Sequence, residues 1–198
     1  TALAWSPDGA NLAYHYAGGT VGLWNPQQQT TQNLEPGGGG ENSLTSLLFS
    51  SDGQMLAAGT EQDEVHLWHL DRPAAPSRLL AGPRHMGSSI ESLAFSPDGA
   101  SLAAGGSQGT IRLWDLGHPE RQPQILEGDT DPVSSMSFDR AGVIASASYD
   151  GTVRIWRSRP QDLVVFAEQR VHRAPLFEGE FEGFLAPFTP ELGNEPGP

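Results

Sequence analysis

The stretch LAFSPDGASLAAGGSQGTIRLW, residues Leu93–Trp114, decides the fold, because the chain contains its pattern four times. The other copies are LAWSPDGANLAYHYAGGTVGLW (Leu3–Trp24), LLFSSDGQMLAAGTEQDEVHLW (Leu47–Trp68) and MSFDRAGVIASASYDGTVRIW (Met136–Trp156). Their final tryptophans follow one another at intervals of 44, 46 and 42 residues. A unit of this length cannot bury its apolar faces alone and must pack against its neighbours. The repetition therefore predicts an array of similar units stacked side by side.

Each copy contains three predicted strands separated by two tight turns. The first strand leads into a turn such as Ser96–Gly99, where proline, aspartate and glycine occupy the positions that a β-turn favours. The second strand has small residues, as in Leu102–Gly105, and the third is β-branched and aromatic, as in Thr110–Trp114. A short fourth strand is predicted near Ser77–Leu80 and Gln124–Leu126. Four antiparallel strands in each repeat predict one blade of a β-propeller.

The turn, the small strand and the tryptophan in constant register resemble the WD40 repeat family over roughly residues 1–157. Only Trp114-Asp115 keeps the Trp-Asp dipeptide of that family. The resemblance implies an all-β chain, a partial β-propeller of four four-stranded antiparallel blades. The expected blades cover about residues 1–36, 44–82, 90–127 and 132–157.

WD40 repeats often tie a blade together with a hydrogen-bond network of Trp, Ser or Thr, Asp and His. By this resemblance the fourth copy supplies Trp156, Ser146 and Asp150, whereas Asp129 stands at the position of the His. No copy has all four members, so packing is expected to hold the blades together. The repeated tryptophans are expected in the blade cores: Trp24, Trp68, Trp114 and Trp156.

Four blades lie at the lower end of the range that propellers use. Most WD40 rings close with about seven blades, so the chain is interpreted as an open arc of a larger ring. The sequence begins at Thr1 inside a predicted strand, and the last blade is expected to lack its outer strand. A four-blade ring, or two arcs that pair into a larger ring, remains an alternative.

The composition excludes several classes of function. The chain has 24 acidic residues against 11 basic ones, a net charge of −13, which disfavours binding to nucleic acid or to an anionic membrane. All the basic residues are arginine, so a Walker lysine and a Schiff-base lysine are excluded. The absence of cysteine removes disulfides, thiolate metal sites and a cysteine nucleophile. The composition indicates no cofactor.

The tail after Trp156 loses the strand pattern. Leu163, Phe166, Ala167 and Val171 share one helical face, which predicts a helix over about 161–172. A weaker helix is predicted over about 177–185, and the remainder is expected to be disordered. The tail is similar to a short helical segment that follows the last WD40 repeat in bacterial STAND-type NTPases and in caspase-like or kinase architectures.

Three groups of residues resemble chemical sites. The glycines Gly37–Gly40 lack the lysine of a phosphate-binding loop and are interpreted as a linker. On a strand, the three-residue separation of His66 and His69 places them on opposite faces, which disfavours a shared metal. Asp129, Asp131 and Asp150 could bind Ca²⁺, but a solvated acidic loop is the preferred interpretation.

The candidate partner contacts lie in two loops between blades. Arg84, His85 and Met86 combine charge, an amphipathic ring and a soft apolar group, a mixture that suits protein contacts. Asp129 and Asp131 are the candidates in the next loop. No catalytic, cofactor-binding or metal-binding residue is assigned.

The sequence thus favours a non-enzymatic scaffold or sensor that displays its loops to a protein partner or to upstream domains of its own chain. By resemblance, the parent is a cytoplasmic bacterial signalling protein. The alternative is a ligand-binding or hydrolytic propeller with a site in the central channel. The pattern does not give the oligomeric state.

Overall fold

The computed structural model describes residues 2–15, 20–35, 43–72, 74–80, 82, 88–157 and 166–170, with the backbone alone for 157 and 166–170. These residues form four separate antiparallel sheets, each of four strands that pair in chain order. We call the sheets blades 1 to 4. No helix that is long and apolar enough to cross a membrane occurs in the described part of the chain.

The strands of the four blades have the following bounds. They are β1 (Leu3–Trp5), β2 (Leu12–His15), β3 (Val21–Asn25), β4 (Thr30–Leu34), β5 (Leu44–Phe49), β6 (Met55–Thr60), β7 (Val65–His69), β8 (Arg78–Leu79), β9 (Ile90–Phe95), β10 (Ser101–Gly106), β11 (Ile111–Asp115), β12 (Gln124–Leu126), β13 (Val133–Phe138), β14 (Val143–Ser148), β15 (Thr152–Arg157) and β16 (Phe166–Arg170).

The same register recurs in every blade, since the repeated tryptophan always pairs with a leucine or isoleucine at the start of the second strand. The pairs are Leu12 with Trp24, Leu56 with Trp68, Leu102 with Trp114 and Ile144 with Trp156. The fourth strands predicted near 77–80 and 124–126 are confirmed as β8 and β12.

The turns between first and second strands are stabilised by hydrogen bonds that a serine hydroxyl and an aspartate carboxylate make within the turn. In the third blade, the Ser96 hydroxyl donates to Asp98 Oδ1 at 2.6 Å, and the same carboxylate accepts from the amide of Ala100 at 3.0 Å. Gly99 has a φ of +68°, in the left-handed region where glycine lacks the steric penalty of other residues. Blades 1 and 2 repeat the motif, so their hairpins are set by local sequence.

Neighbouring blades pack face to face along their inner strands. Contacts join β1 to β5, β5 to β9 and β9 to β13, so the first strand of each blade lies beside the first strand of the next. Among the described residues no contact of comparable extent joins blade 1 to blade 4. The blades form an open arc, as the repetition predicts.

Small residues in the second strands allow this approach. A Cβ added to Gly59 would lie 2.7 Å from the Ile90 Cβ in the next blade, and one added to Gly105 would lie 2.7 Å from the Val133 Cβ. Real Cβ atoms do not approach this closely, so glycine is required at both positions. Each seam then encloses its own buried apolar cluster.

Two expectations for the C-terminal part are wrong where the structure describes it. The predicted helix over 161–172 contains the strand Phe166–Arg170, which pairs with β15 through Thr152 with Arg170 and Val153 with Gln169. The last blade therefore has an outer strand, since β15 offers a free edge whose backbone groups a strand can satisfy. The helix predicted over 177–185 and the expected disorder of the remainder lie outside the described residues.

Candidate functional site: the loop face

One edge of the arc, which we call the loop face, carries the turns between second and third strands and the loops that lead into the inner strands. In the described chain it comprises residues 60–64, 106–110, 127–132 and 148–152. Tyr149 lies at the tip of the last turn and is 71% exposed, the largest value among the large apolar and aromatic side chains described. An exposed tyrosine combines a broad apolar ring with a hydroxyl that hydrogen-bonds, which suits contact with another protein.

The turn that carries Tyr149 is held by its neighbouring loop. The Tyr149 amide donates to the Pro132 carbonyl at 3.1 Å, and the Ser148 hydroxyl donates to the Asp131 carbonyl at 2.9 Å. The Thr130 amide donates to Asp150 Oδ2 at 3.1 Å. Because three bonds join turn and loop, the ring projects from a fixed backbone, and binding there costs little ordering entropy.

A buried polar network supports this turn from below. Trp156 Nε1 donates to the Ser146 hydroxyl at 2.9 Å, and that hydroxyl donates to Asp129 Oδ2 at 3.0 Å. The other Asp129 oxygen accepts from Arg154. Asp129 thus occupies the position where the family resemblance implies a histidine, and an arginine neutralises its charge.

Arg154 also binds the second carboxylate of the network. Its Nη1 lies 3.0 Å from Asp150 Oδ2 and donates to the Thr152 hydroxyl at 2.7 Å. Burial alone would raise the pKa of Asp150, but hydrogen bonds from Thr152, Thr130 and Arg154 outweigh it and hold the pKa well below the ordinary value. Asp150 is therefore retained as an anion beside the Arg154 guanidinium.

The third blade has an arginine at the equivalent position with a different partner. Arg112 donates to the carboxylate and to the backbone carbonyl of Asp63, which belongs to the turn of blade 2. Asp63 has a φ of +64°, whereas the equivalent turn residues Gly109 and Gly151 are glycines. An aspartate tolerates this left-handed backbone better than most residues, and here its side chain reaches across the seam.

The exposed part of the loop face is acidic. Arg112 and Arg154 lie beneath it, buried and paired with carboxylates. The exposed acidic residues around Tyr149 and along the loops are Glu61, Glu127 and Asp131. This arrangement favours a partner surface with cationic and hydrogen-bond-donating groups.

The structure changes the role of one predicted contact residue. Asp129 is buried and bonded within the network, so its assignment as a partner contact is wrong, because Arg154 draws its carboxylate inward. Asp131 is exposed next to the Tyr149 turn. Arg84, His85 and Met86 lie outside the described residues.

The repeated tryptophans occupy two different environments. Trp68, Trp114 and Trp156 are buried, and Trp68 is 1% exposed, each against the preceding blade. Trp24 is 37% exposed, so its prediction as a blade-core residue is wrong here. In the described chain no blade lies on its outer side.

The carboxylates beneath the Tyr149 turn are paired with an arginine. Asp129 and Asp150 enclose the Arg154 guanidinium, and among the described residues no group of three His, Asp or Glu side chains could hold a metal. His66 is buried and His69 is exposed, as their opposite faces require. A groove of about 270 Å³ between the inner strands of blades 2 to 4 is lined by Phe95, Met136 and other residues without a titratable side chain.

Sequence reasoning missed Tyr149 and the two arginines. Tyr149 falls at a turn position where the other repeats have Glu61 and Ser107, so the turn itself does not require an aromatic residue. Arg112 and Arg154 follow Ile111 and Val153 in their third strands, in register with His66. The sequence did offer one signal for the two arginines: each is a long cationic side chain at a strand position that faces the blade interior, where a buried carboxylate partner is expected.

The comparison with protein families identifies the repeat. A model described as "WD domain, G-beta repeat" matches residues 31–69, 78–115 and 120–157, which together cover more than half of the chain. Each matched segment begins at or shortly before the outer strand of one blade and ends in the third strand of the next. No curated protein matches the chain. From its repeats and from the blades that they form, the chain belongs to the WD40 family.

Proposed function

We propose that the chain is a non-enzymatic protein-binding module that contacts its partner through the part of the loop face centred on Tyr149. WD40 repeats in general form interaction propellers, which supports the module. The single observation that carries the proposed surface is the 71% exposed ring of Tyr149 on a turn fixed by three hydrogen bonds. The partner is another protein or another domain of the same chain.

The charge of the loop face indicates what kind of partner surface binds there. Asp131 is exposed beside Tyr149, and the chain carries a net charge of −13. We expect a basic partner surface, with Tyr149 as the central contact and Asp131 at the rim, where charge mainly affects the rate of association. A nucleic acid or an anionic membrane would be repelled by the same field. A scaffold or sensor role in a cytoplasmic bacterial signalling protein is part of this proposal. It rests on the sequence resemblance of the tail alone, since residues 166–170 of the tail form a strand and not the helix that the resemblance implies.

The test compares capture of a partner by three variants of the chain. Tyr149→Ala removes the proposed central contact, and we expect about a tenfold or greater loss of affinity for the stoichiometric prey. Ile125→Ala is the matched control, since Ile125 is also an exposed apolar residue but lies on the outer strand β12. Asp131→Asn should slow association at low salt and have little effect at high salt.

The outcome separates binding from catalysis. Equal retention of the prey by Tyr149→Ala and Ile125→Ala would place the contact elsewhere and contradict the proposed surface. Turnover of a small molecule by the wild type, without any stoichiometric prey, would instead favour the ligand-binding or hydrolytic alternative in the central channel.

A further inference from the structure

A pocket of about 340 Å³ lies in blade 2, at the end of the blade away from the loop face. The strand β7 begins at Val65, next to the loop face, and ends at His69, which lines the pocket together with Arg78 at the start of β8. We call this cavity the rim pocket. It shares no residue with the surface around Tyr149, so it is a separate candidate site.

The loop between β7 and β8 forms one wall of the rim pocket, and backbone hydrogen bonds hold this loop. The Leu70 amide donates to the Gln54 carbonyl at 2.8 Å, the Arg72 amide to the His69 carbonyl at 3.1 Å, and the Ala75 amide to the Arg72 carbonyl at 2.9 Å. Because the backbone is already fixed, a ligand that enters the pocket has little further chain to order.

Blade 2 differs from its neighbours at three register positions that line the pocket: the residue after the repeated tryptophan, the third residue beyond it, and the outer-strand residue that pairs with the leucine before the tryptophan. In blade 2 these residues are His69, Arg72 and Arg78, whereas blade 1 has Asn25, Gln28 and Gln32, and blade 3 has Asp115, His118 and Gln124. Blade 2 alone therefore places two arginines and a histidine there, in a chain whose net charge is −13.

The side chain of His69 does not have the structural role of its equivalents. In blade 1 Asn25 Oδ1 accepts from the Gln28 amide at 2.9 Å, and in blade 3 Asp115 Oδ1 accepts from the Gly117 amide at 2.9 Å, so both residues stabilise their own turns. Among the described residues the exposed imidazole of His69 makes no such bond. Its ring nitrogens are therefore available to a ligand in the pocket.

The two arginines are only weakly paired. Arg72 Nε lies 3.6 Å from Asp71 Oδ2, and Arg78 Nη2 lies 4.0 Å from Glu120 Oε2, with all four side chains exposed. A charge-assisted hydrogen bond is about 2.7–2.9 Å long, and exposed pairs of this kind contribute little to stability. An anion that carries more charge than one carboxylate can therefore replace Asp71 and Glu120 as the partner of these guanidinium groups.

The remaining lining residues indicate what the anion is attached to. Leu67, Ala75 and Pro76 give the pocket an apolar wall next to the arginines. A phosphate monoester carries about −1.5 to −2 charges at pH 7, and a guanidinium binds its oxygens through two parallel hydrogen bonds. A phosphate on an apolar organic group thus matches both the cationic side and the apolar side of the pocket.

We propose that the rim pocket binds an organic phosphate monoester. Arg72 and Arg78 hold the phosphate oxygens, His69 donates a further hydrogen bond, and the apolar wall contacts the organic group. The site lies outside the proposed partner surface and does not depend on it.

Titration with phenyl phosphate, followed by NMR of the histidine side chains, tests the site. The His69 resonances, assigned with His69→Gln, should shift saturably with a dissociation constant of about 1 mM or tighter, and inorganic phosphate should bind about threefold or more weakly because it lacks the organic group. His118 is the internal control, since it is exposed on the equivalent turn of blade 3 and pairs with Asp115. No saturable shift, or equal shifts of His69 and His118, would overturn the proposal.

Glutamine substitutions test the two arginines. Arg72→Gln and Arg78→Gln introduce the residue that blades 1 and 3 carry at equivalent positions, Gln28 and Gln124, so the fold should tolerate them. Each should weaken phenyl phosphate binding about tenfold or more. The matched control is Arg121→Gln, an exposed arginine in the equivalent loop of blade 3, which should bind as the wild type does. Wild-type affinity in both Arg72→Gln and Arg78→Gln would contradict the site.

A comparison of two ligands identifies the source of the phosphate. Tighter binding of a short phosphoserine peptide than of phenyl phosphate would assign the pocket to a phosphorylated protein, and the reverse order would assign it to a small phosphate ester. Binding of neither ligand would overturn the proposal. Tyr149→Ala should leave phosphate binding unchanged, so failure of the partner surface and failure of the rim pocket give different results.

Discussion

Blades 3 and 4 carry an arginine at the same register position and use it in opposite ways. Arg112 extends across the seam to Asp63 in the turn of blade 2, whereas Arg154 stays within blade 4 and its own loop, where it joins Asp129 to Asp150. The first pair ties two blades together, and the second ties the loop of residues 127–132 to blade 4. The repeat thus sets the position of the arginine in the blade. The neighbouring turns supply its carboxylate partner, and the partner determines which part of the protein the ion pair stabilises.

The largest expected effect comes from removing these arginines. Arg154→Ala leaves two buried carboxylates without their cation, and we expect a loss of about 3–5 kcal/mol in the free energy of unfolding, with a smaller loss for Arg112→Ala, which leaves one. Urea unfolding of both variants measures the difference. Arg140→Ala is the control, because that side chain is exposed and its removal should change stability by about 0.5 kcal/mol or less.

Hydrogen exchange then distinguishes the two roles. Arg112→Ala should increase exchange on both sides of the seam between blades 2 and 3, whereas Arg154→Ala should increase it in residues 127–132 and 148–152. The same exchange pattern in both variants would show that the two arginines stabilise the same part of the protein. It would contradict the different roles assigned to them.

A second pair of matched substitutions compares the turns of the same two blades. Gly109 and Gly151 both have φ near +80°, so alanine costs about 1 kcal/mol at either position from backbone strain. At Gly109 the added Cβ would also lie 2.6 Å from the Asp129 carbonyl carbon, whereas at Gly151 no atom lies within 4 Å. Gly109→Ala should therefore be more destabilising by about 1–3 kcal/mol in thermal or urea unfolding. Equal effects would mean that the loop before blade 4 does not pack on the turn of blade 3.

The smallest expected effect is the decrease in the stability of the fold at acidic pH. The pKa of Asp150 in the folded protein lies below its ordinary value of 3.8, so its ionised form stabilises the fold above that pH. This contribution decreases as the pH falls below about 4 toward the lowered pKa. Urea unfolding from pH 7 to pH 3 should show that Asp150→Asn and the wild type differ most at pH 7 and converge in acid. A difference that is constant over this range would exclude the ionised carboxylate as its cause.

The sequence is a good guide to features that depend on residues close together in the chain. The Ser96–Gly99 turn and the constant spacing between Leu102 and Trp114 are local, so they predict the hairpins and the blade. The bond between Asp129 and Arg154 spans 25 residues and depends on how a loop folds over a strand, so the sequence could not supply it. The exposure of Trp24 depends on whether another blade lies beside it, which its own repeat does not encode.

The outer strand of blade 4 was missed for a related reason. Leu163, Phe166 and Ala167 satisfy a helical period, but the edge of β15 offers backbone partners that the period does not register. A segment with a helical period can therefore form a strand instead when the assembled fold places it beside a free sheet edge.

The narrow second strands of the blades have a geometric consequence. Ala57, Ala103 and Ala104 lie at the seams and are fully buried, so the width of these side chains sets how closely two sheets approach near the axis. A bulkier residue there would wedge the sheets apart on the inside and flatten the curvature of the arc. We therefore expect larger side chains at these positions to reduce the angle between neighbouring blades.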